Sequence, residues 1–177
     1  MKAWQVGLLA LAGLAVGTAL ADAAQVRAEM HQATPTGPGA PLGTVTISDD
    51  PAGAVVTADL KGLPPGTHGF HIHQNGSCGP TTANGRVVPA GAAGGHFDPG
   101  DTGRHEGPQG HGHLGDLPVL QVAANGAARE TLTAPRIKDV AALRGRSVMI
   151  HAGGDNYSDR PKPLGGGGAR LACGVLK

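Results

Sequence analysis

Aromatic residues are nearly missing from this chain: Trp4, Phe70, Phe97 and Tyr157 are the four in 177 residues. That excludes a core of stacked rings, and also a nucleic-acid platform that stacks bases on aromatic side chains. Neither sign of charge is in excess. Fourteen basic residues against thirteen acidic ones leave +1, too weak a field to attract a polyanion. Cysteine is limited to Cys78 and Cys173.

What is plentiful is glycine (31) and proline (14), a quarter of the chain. Such a composition fits either a partly disordered chain or an all-β domain that spends its glycines on turns and loops. The nine histidines favour the second. Seven of them fall between His68 and His113, a clustering that random composition rarely produces. The length fits one domain.

Residues 1–21 read as a cleaved export signal. Lys2 is followed by an apolar stretch over residues 6–20, and Ala19-Leu20-Ala21 is a small-x-small cleavage signature. The stretch is slightly short for a membrane span and rich in Ala and Gly. Ala21-Asp22-Ala23 offers a second cleavage register. Cleavage after Ala21 would leave a domain of residues 22–177 with no net charge and no membrane anchor, in the periplasm or outside the cell. In an oxidising compartment two isolated cysteines are most simply one disulfide, with two buried thiols as the alternative.

Strands are expected at residues 25–33, 43–48, 54–60, 68–73, 119–123, 127–132, 147–151 and 169–176, from alternation and bounding turn residues. Residues 34–41 are expected to form a turn, Asn125-Gly126 a hairpin turn, and residues 139–144 a short helical turn. No strand is expected from residue 76 to 114. A loop of that length in a compact domain is usually functional. The class is all-β, sandwich or barrel.

His71 and His73 lie two apart on an expected strand, so their imidazoles project from one face. Alone, the pair fits a metal site and two solvated histidines equally well. His96, His105, His113 and Asp116 follow, three imidazoles and a carboxylate suited to zinc. His151 ends an apolar strand, where it can reach across the sheet. Imidazole sites without thiolate also suit copper. His31 is isolated, and His111 is a possible competitor of His113.

Five motifs in order carry a family resemblance: Gly69-Phe-His-Ile-His-Gln-Asn-Gly-Ser-Cys78, Gly95-His-Phe-Asp-Pro99, Gly112-His-Leu-Gly-Asp-Leu-Pro118, Met149-Ile-His-Ala-Gly-Gly-Asp-Asn-Tyr157 and Gly165-Gly-Gly-Gly-Ala-Arg-Leu-Ala-Cys-Gly-Val175. From about Val26 to the C-terminus the chain resembles copper/zinc superoxide dismutase of the exported bacterial type. The resemblance implies a Greek-key β-sandwich or flattened barrel of immunoglobulin-like architecture with long metal-binding loops. It implies copper on His71, His73, His96 and His151, and zinc on His96, His105, His113 and Asp116, with His96 bridging the two as an imidazolate. Asp155 would link His71 to His105. Arg170 would dock the superoxide anion, His68 would be structural, and Cys78 would pair with Cys173. His96 would also supply a proton during turnover. One copper and one zinc per subunit are implied, in a monomer or homodimer. A non-enzymatic copper- or zinc-binding protein of the same fold is the alternative reading. Arg160 and Lys162, just past Asp155, are expected to help steer the substrate.

Overall fold

A computed structural model describes residues 24–177. The expected signal at residues 1–21 lies outside the described residues. Seven strands form one curled antiparallel sheet: β5 (Phe70–His73), β10 (Ser147–His151), β11 (Arg170–Val175), β1 (Gln25–Thr34), β2 (Gly37–Ser48), β3 (Ala54–Leu60) and β9 (Ala128–Ala134), in that spatial order. Two short pairs complete it, β4 (Gly66–His68) with β8 (Leu120–Val122) and β6 (Thr81–Ala83) with β7 (Arg86–Val88).

Alternation builds the barrel. Val26, Ala28 and Met30 of β1 are buried, whereas Gln25, Arg27 and Glu29 between them are exposed. Ala54, Val56, Ala58 and Leu60 do the same on β3. Phe70, Ile72, Val148, Ile150 and Ala172 join them in one apolar core, removing side chains from water at about 1.5–3 kcal/mol for each large one.

Three expectations need correction. Residues 34–41 are not a separate turn: β1 and β2 run on through them, and the chain reverses at Thr34–Gly37. Residues 76–114 are not free of strands, because β6 and β7 lie there as a small hairpin. The Asn125-Gly126 turn forms, with Ala127 N–H on Asn125 Oδ1 at 3.1 Å. Its two arms nevertheless diverge, β8 to β4 and β9 to β3. The expected helical turn is a 3-10 turn at Ala141–Leu143.

Strand β10 sits between β5 and β11, and all five of its residues are buried. Val148 and Ile150 point into the core. Met149 points to the other face, where it joins Ala90, Ala93 and Cys173. By the same parity, Phe70 and Ile72 face the core while His71 and His73 face outward. The histidines therefore lie on the outer surface of the sheet, buried by the loops that cross it.

Candidate metal centre

Strand β5 supplies His71 and His73, and the end of β10 supplies His151. The other two segments are fastened to the free edge of β5. Phe97 N–H donates to the Ile72 carbonyl at 2.8 Å, and Ile72 N–H to that of Gly115 at 2.8 Å. These bonds set His96 beside His73 and Asp116 beside His71. His105 and His113 come from the loop between them, and Asp155 from the loop after β10.

Six histidines and two carboxylates converge here, and every side chain in a histidine–carboxylate contact is at most 10% exposed. His71, His73, His96 and His151 offer four donor atoms within 4.8 Å of one another. A second such group is His71, His96, His105 and Asp116. His113 stands slightly apart, its Nδ1 3.5 Å from Asp116 Oδ1. All eight residues expected for the two metals and their link are thus brought together. His111 is exposed and stays out of the cluster. His31, isolated in sequence, also stays out of the cluster, half-buried with Nδ1 3.1 Å from the Gly39 carbonyl. His68 is buried, its ring nitrogens 2.7 Å from the His151 carbonyl and 2.8 Å from that of Pro64.

One nitrogen of every ring but that of His113 is engaged with an acceptor. His71 Nε2 and His105 Nε2 meet the two oxygens of Asp155 at 2.8 and 2.7 Å. His73 Nδ1 donates to the Gly94 carbonyl at 2.9 Å, and His151 Nδ1 to that of Gly168 at 3.2 Å. Donation from one nitrogen leaves a lone pair on the other. His73 Nε2 and His151 Nε2 accordingly face each other at 3.4 Å.

The remaining nitrogens provide the test of fit to a metal. His71 Nδ1, His96 Nε2, His105 Nδ1 and His113 Nδ1 are buried without a hydrogen-bond partner. Each such atom costs about 1–3 kcal/mol, and four in one cluster call for a ligand. His96 Nδ1 and His105 Nδ1 each stand 2.9 Å from an Asp116 oxygen, although His105 lacks hydrogen-bonding geometry there. Donors on a tetrahedral zinc with bonds near 2.0 Å lie about 3.3 Å apart. The three imidazole approaches to Asp116, at 2.9, 2.9 and 3.5 Å, straddle that spacing. The all-imidazole group of His71, His73, His96 and His151 suits copper.

Electrostatics agree with neutral ligand rings. Burial lowers His71 to about 3 and His151 to about 4, and it also lowers His73 and His96. His105 is the exception. Burial opposes its protonation, but the carboxylates of Asp116 and Asp155, one beside each ring nitrogen, outweigh burial and raise it to about 9. Burial pushes both carboxyls up, yet His105 with His96 on Asp116, and His105 with His71 on Asp155, hold them well below the usual range.

Arg170 reaches the cluster through a break in strand pairing. Val148 to Ile150 pair regularly with Gly174 to Ala172, but His151 pairs with Arg170. Regular pairing would have turned Arg170 to the core face with Ala172. The bulge turns it outward beside His151 instead. There its guanidinium donates to the carbonyls of Ala90 and Gly94 at 2.5 and 2.6 Å. Cys78 and Cys173 are bonded, Cα to Cα 5.7 Å, and fasten the segment after β5 to β11.

Sequence reasoning missed two groups around these ligands. Asp159 accepts from the His105 N–H, and Arg136 donates to the carbonyls of Gly112 and His113. Neither stands in a motif that would have marked it.

Comparison with known proteins accords with this geometry. Residues 42–176 match the family model for copper/zinc superoxide dismutase. Superoxide dismutase [Cu-Zn] 2 of Salmonella typhimurium is 55% identical over 172 residues, covering 97% of this chain and 95% of that protein. The structure of the Cu/Zn superoxide dismutase from Brucella abortus superposes with a TM-score of 0.86 at 53% identity, over 87% of this chain and all of that one. The solution structure of the monomeric copper, zinc superoxide dismutase from Salmonella enterica gives 0.77 at 56% identity, again over 87% and 100%. The chain belongs to the copper/zinc superoxide dismutase family, an enzyme that disproportionates superoxide with copper and zinc as its cofactors.

Proposed function

We propose that His71, His73, His96 and His151 hold copper, that His96, His105, His113 and Asp116 hold zinc, and that His96 serves both as a bridging imidazolate. The observation that carries this reading is the pairing within the rings. Four buried nitrogens lack partners, while the opposite nitrogens of His71 and His105 are fixed by Asp155. His96 differs from the rest in that its Nδ1 faces Asp116 while its Nε2 is free. It alone thus presents one nitrogen to each set.

When bound, copper supplies one-electron redox chemistry, oxidising one superoxide to dioxygen and reducing a second to hydrogen peroxide, and zinc supplies charge without redox. The residues then divide the work. Arg170, anchored by two carbonyls, presents its remaining N–H groups and fixed charge to a small anion. Asp155 keeps His71 and His105 in one tautomer and orientation. His96 takes up and gives back a proton at Nε2, supplying the peroxide product. Arg160 and Lys162, both exposed, add to the field that draws superoxide in.

The export reading belongs to this proposal: residues 1–21 direct the chain out, and residues 22–177 act as a monomer or homodimer protecting the cell envelope. Among the described residues no helix is long and apolar enough to cross a membrane. Metal content and superoxide consumption, measured together before and after copper removal, test the site. Activity should leave with copper and return with it. Activity that persists without copper, or a full complement of both metals in His96→Ala, would overturn the assignment.

A further inference from the structure

The four zinc-side ligands are fixed to the scaffold in two different ways. His96 and Asp116 adjoin residues hydrogen-bonded to the edge of β5, so a strand sets their positions. His105 and His113 sit in irregular chain with no strand beside them. These are the two ligands whose main chain is gripped by a charged side chain from elsewhere. Asp159, in the loop after β10, accepts the His105 N–H on Oδ2 at 2.9 Å and the Leu164 N–H on Oδ1 at 3.0 Å. Arg136, half-buried just after β9, donates Nη1 to the His113 carbonyl at 3.1 Å and Nη2 to the Gly112 carbonyl at 2.8 Å. The His113 N–H is closed off as well, on the Arg104 carbonyl at 2.9 Å.

We propose that Arg136 and Asp159 are positioning residues for zinc, setting the placement of His113 and His105 through their main chain. The proposal rests on the ligand assignment above. A planar fork spanning two successive carbonyls fixes direction as well as distance, which a lysine ammonium does not. A carboxylate shared between the His105 and Leu164 N–H groups ties one zinc ligand to the loop that also carries Asp155. The side chains of both histidines lean on Asp116 at 2.9 and 3.5 Å, so small displacements of their backbone would spoil the donor set.

The test uses the full disulfide-bonded protein, stripped of metal and then titrated with zinc against a chromogenic chelator. The same variants are titrated with cobalt(II), whose visible absorption reports the geometry of the site. Arg136→Met and Asp159→Ala should each weaken zinc retention about tenfold, the low end for loss of a group that orients a ligand, and alter the cobalt bands. Arg136→Lys and Asp159→Asn, each keeping part of the hydrogen bonding, should recover part of the loss. Zinc affinity and cobalt bands unchanged in both strong variants would overturn the inference. So would a fall in melting temperature as large without metal as with it, since that marks a scaffold role. If the unaltered protein fails to take up zinc, the ligand assignment itself falls, and the inference with it.

Discussion

Replacing Gly165 with alanine separates backbone strain from damage to the metal centre. Gly165 has φ +67°, and an added Cβ would stand 1.9 Å from Asp155 Oδ1 and 2.8 Å from His105 Nε2. No side chain fits there while the Asp155–His105 hydrogen bond survives. Two other glycines have nearly the same φ without the crowding. Gly145, at +73°, has nothing within 4 Å, and the nearest atom at Gly168, at +70°, is 3.9 Å away. Alanine at those two should cost the left-handed conformation alone, about 1–2 kcal/mol. At Gly165 the loss of a charge-assisted hydrogen bond adds about 1.5–3 kcal/mol, for roughly 2.5–5 kcal/mol in total. Urea unfolding of the zinc-loaded protein measures the difference, and chelator competition shows whether it reaches the metal. If Gly165→Ala is no less stable than Gly145→Ala and holds zinc as well, the reasoning fails.

Three more outcomes follow from the same structure. Converting Cys78 and Cys173 to serine removes a link across 95 residues and should lower unfolding free energy by about 4 kcal/mol; a shift below about 1 kcal/mol in urea would refute the loop-closure account. Burial holds His71, His73, His96 and His151 neutral in the fold, whereas in the unfolded chain they protonate near 6.5. The metal-stripped protein should therefore be stable above 6.5 and weaken as pH falls from 6.5 towards 4. The slope is up to about 1.4 kcal/mol per pH unit for each ring. His105, raised to about 9, runs oppositely: its contribution is full below 6.5 and fades as pH rises through 9. An unfolding midpoint at pH 5 equal to that at pH 7.5 would contradict this. Neutralising Arg160 and Lys162 together should slow superoxide consumption at low salt and flatten its salt dependence; an unchanged salt slope would remove them from steering.

The parts of this structure that could be read from sequence are those with a period. The buried and exposed residues of β1 and β3 alternate, and His71 and His73 share a face because they are two apart. The hairpin of β6 and β7 was hidden because it has no buried face: five of its six strand residues are exposed and the sixth is half-buried. Residues 34–41 are rich in Pro and Gly, which usually break strands, yet irregular pairing at Met30 and His31 lets the ladder absorb them. Arg170 shows the opposite problem. Its parity with Ala172 points it into the core, and only the bulge at His151 brings it to the ligands. Arg136 and Asp159 act on main-chain atoms, so no pairing of residue types announces them.

The opposed faces of β5 and β10 give the molecule two accounts of damage. One face carries Phe70, Ile72, Val148 and Ile150 into the apolar core; the other carries His71, His73 and His151 under the loops. A substitution on the first should register as a lower melting temperature in protein stripped of metal. A substitution on the second should lower that temperature less, by the hydrogen bond it removes, and register chiefly as lost copper or zinc. Along a strand the two kinds alternate residue by residue, so a scan through Phe70 to His73 should switch readout at every step. Variants with new metal preferences can then be sought on one face without rebuilding the barrel on the other.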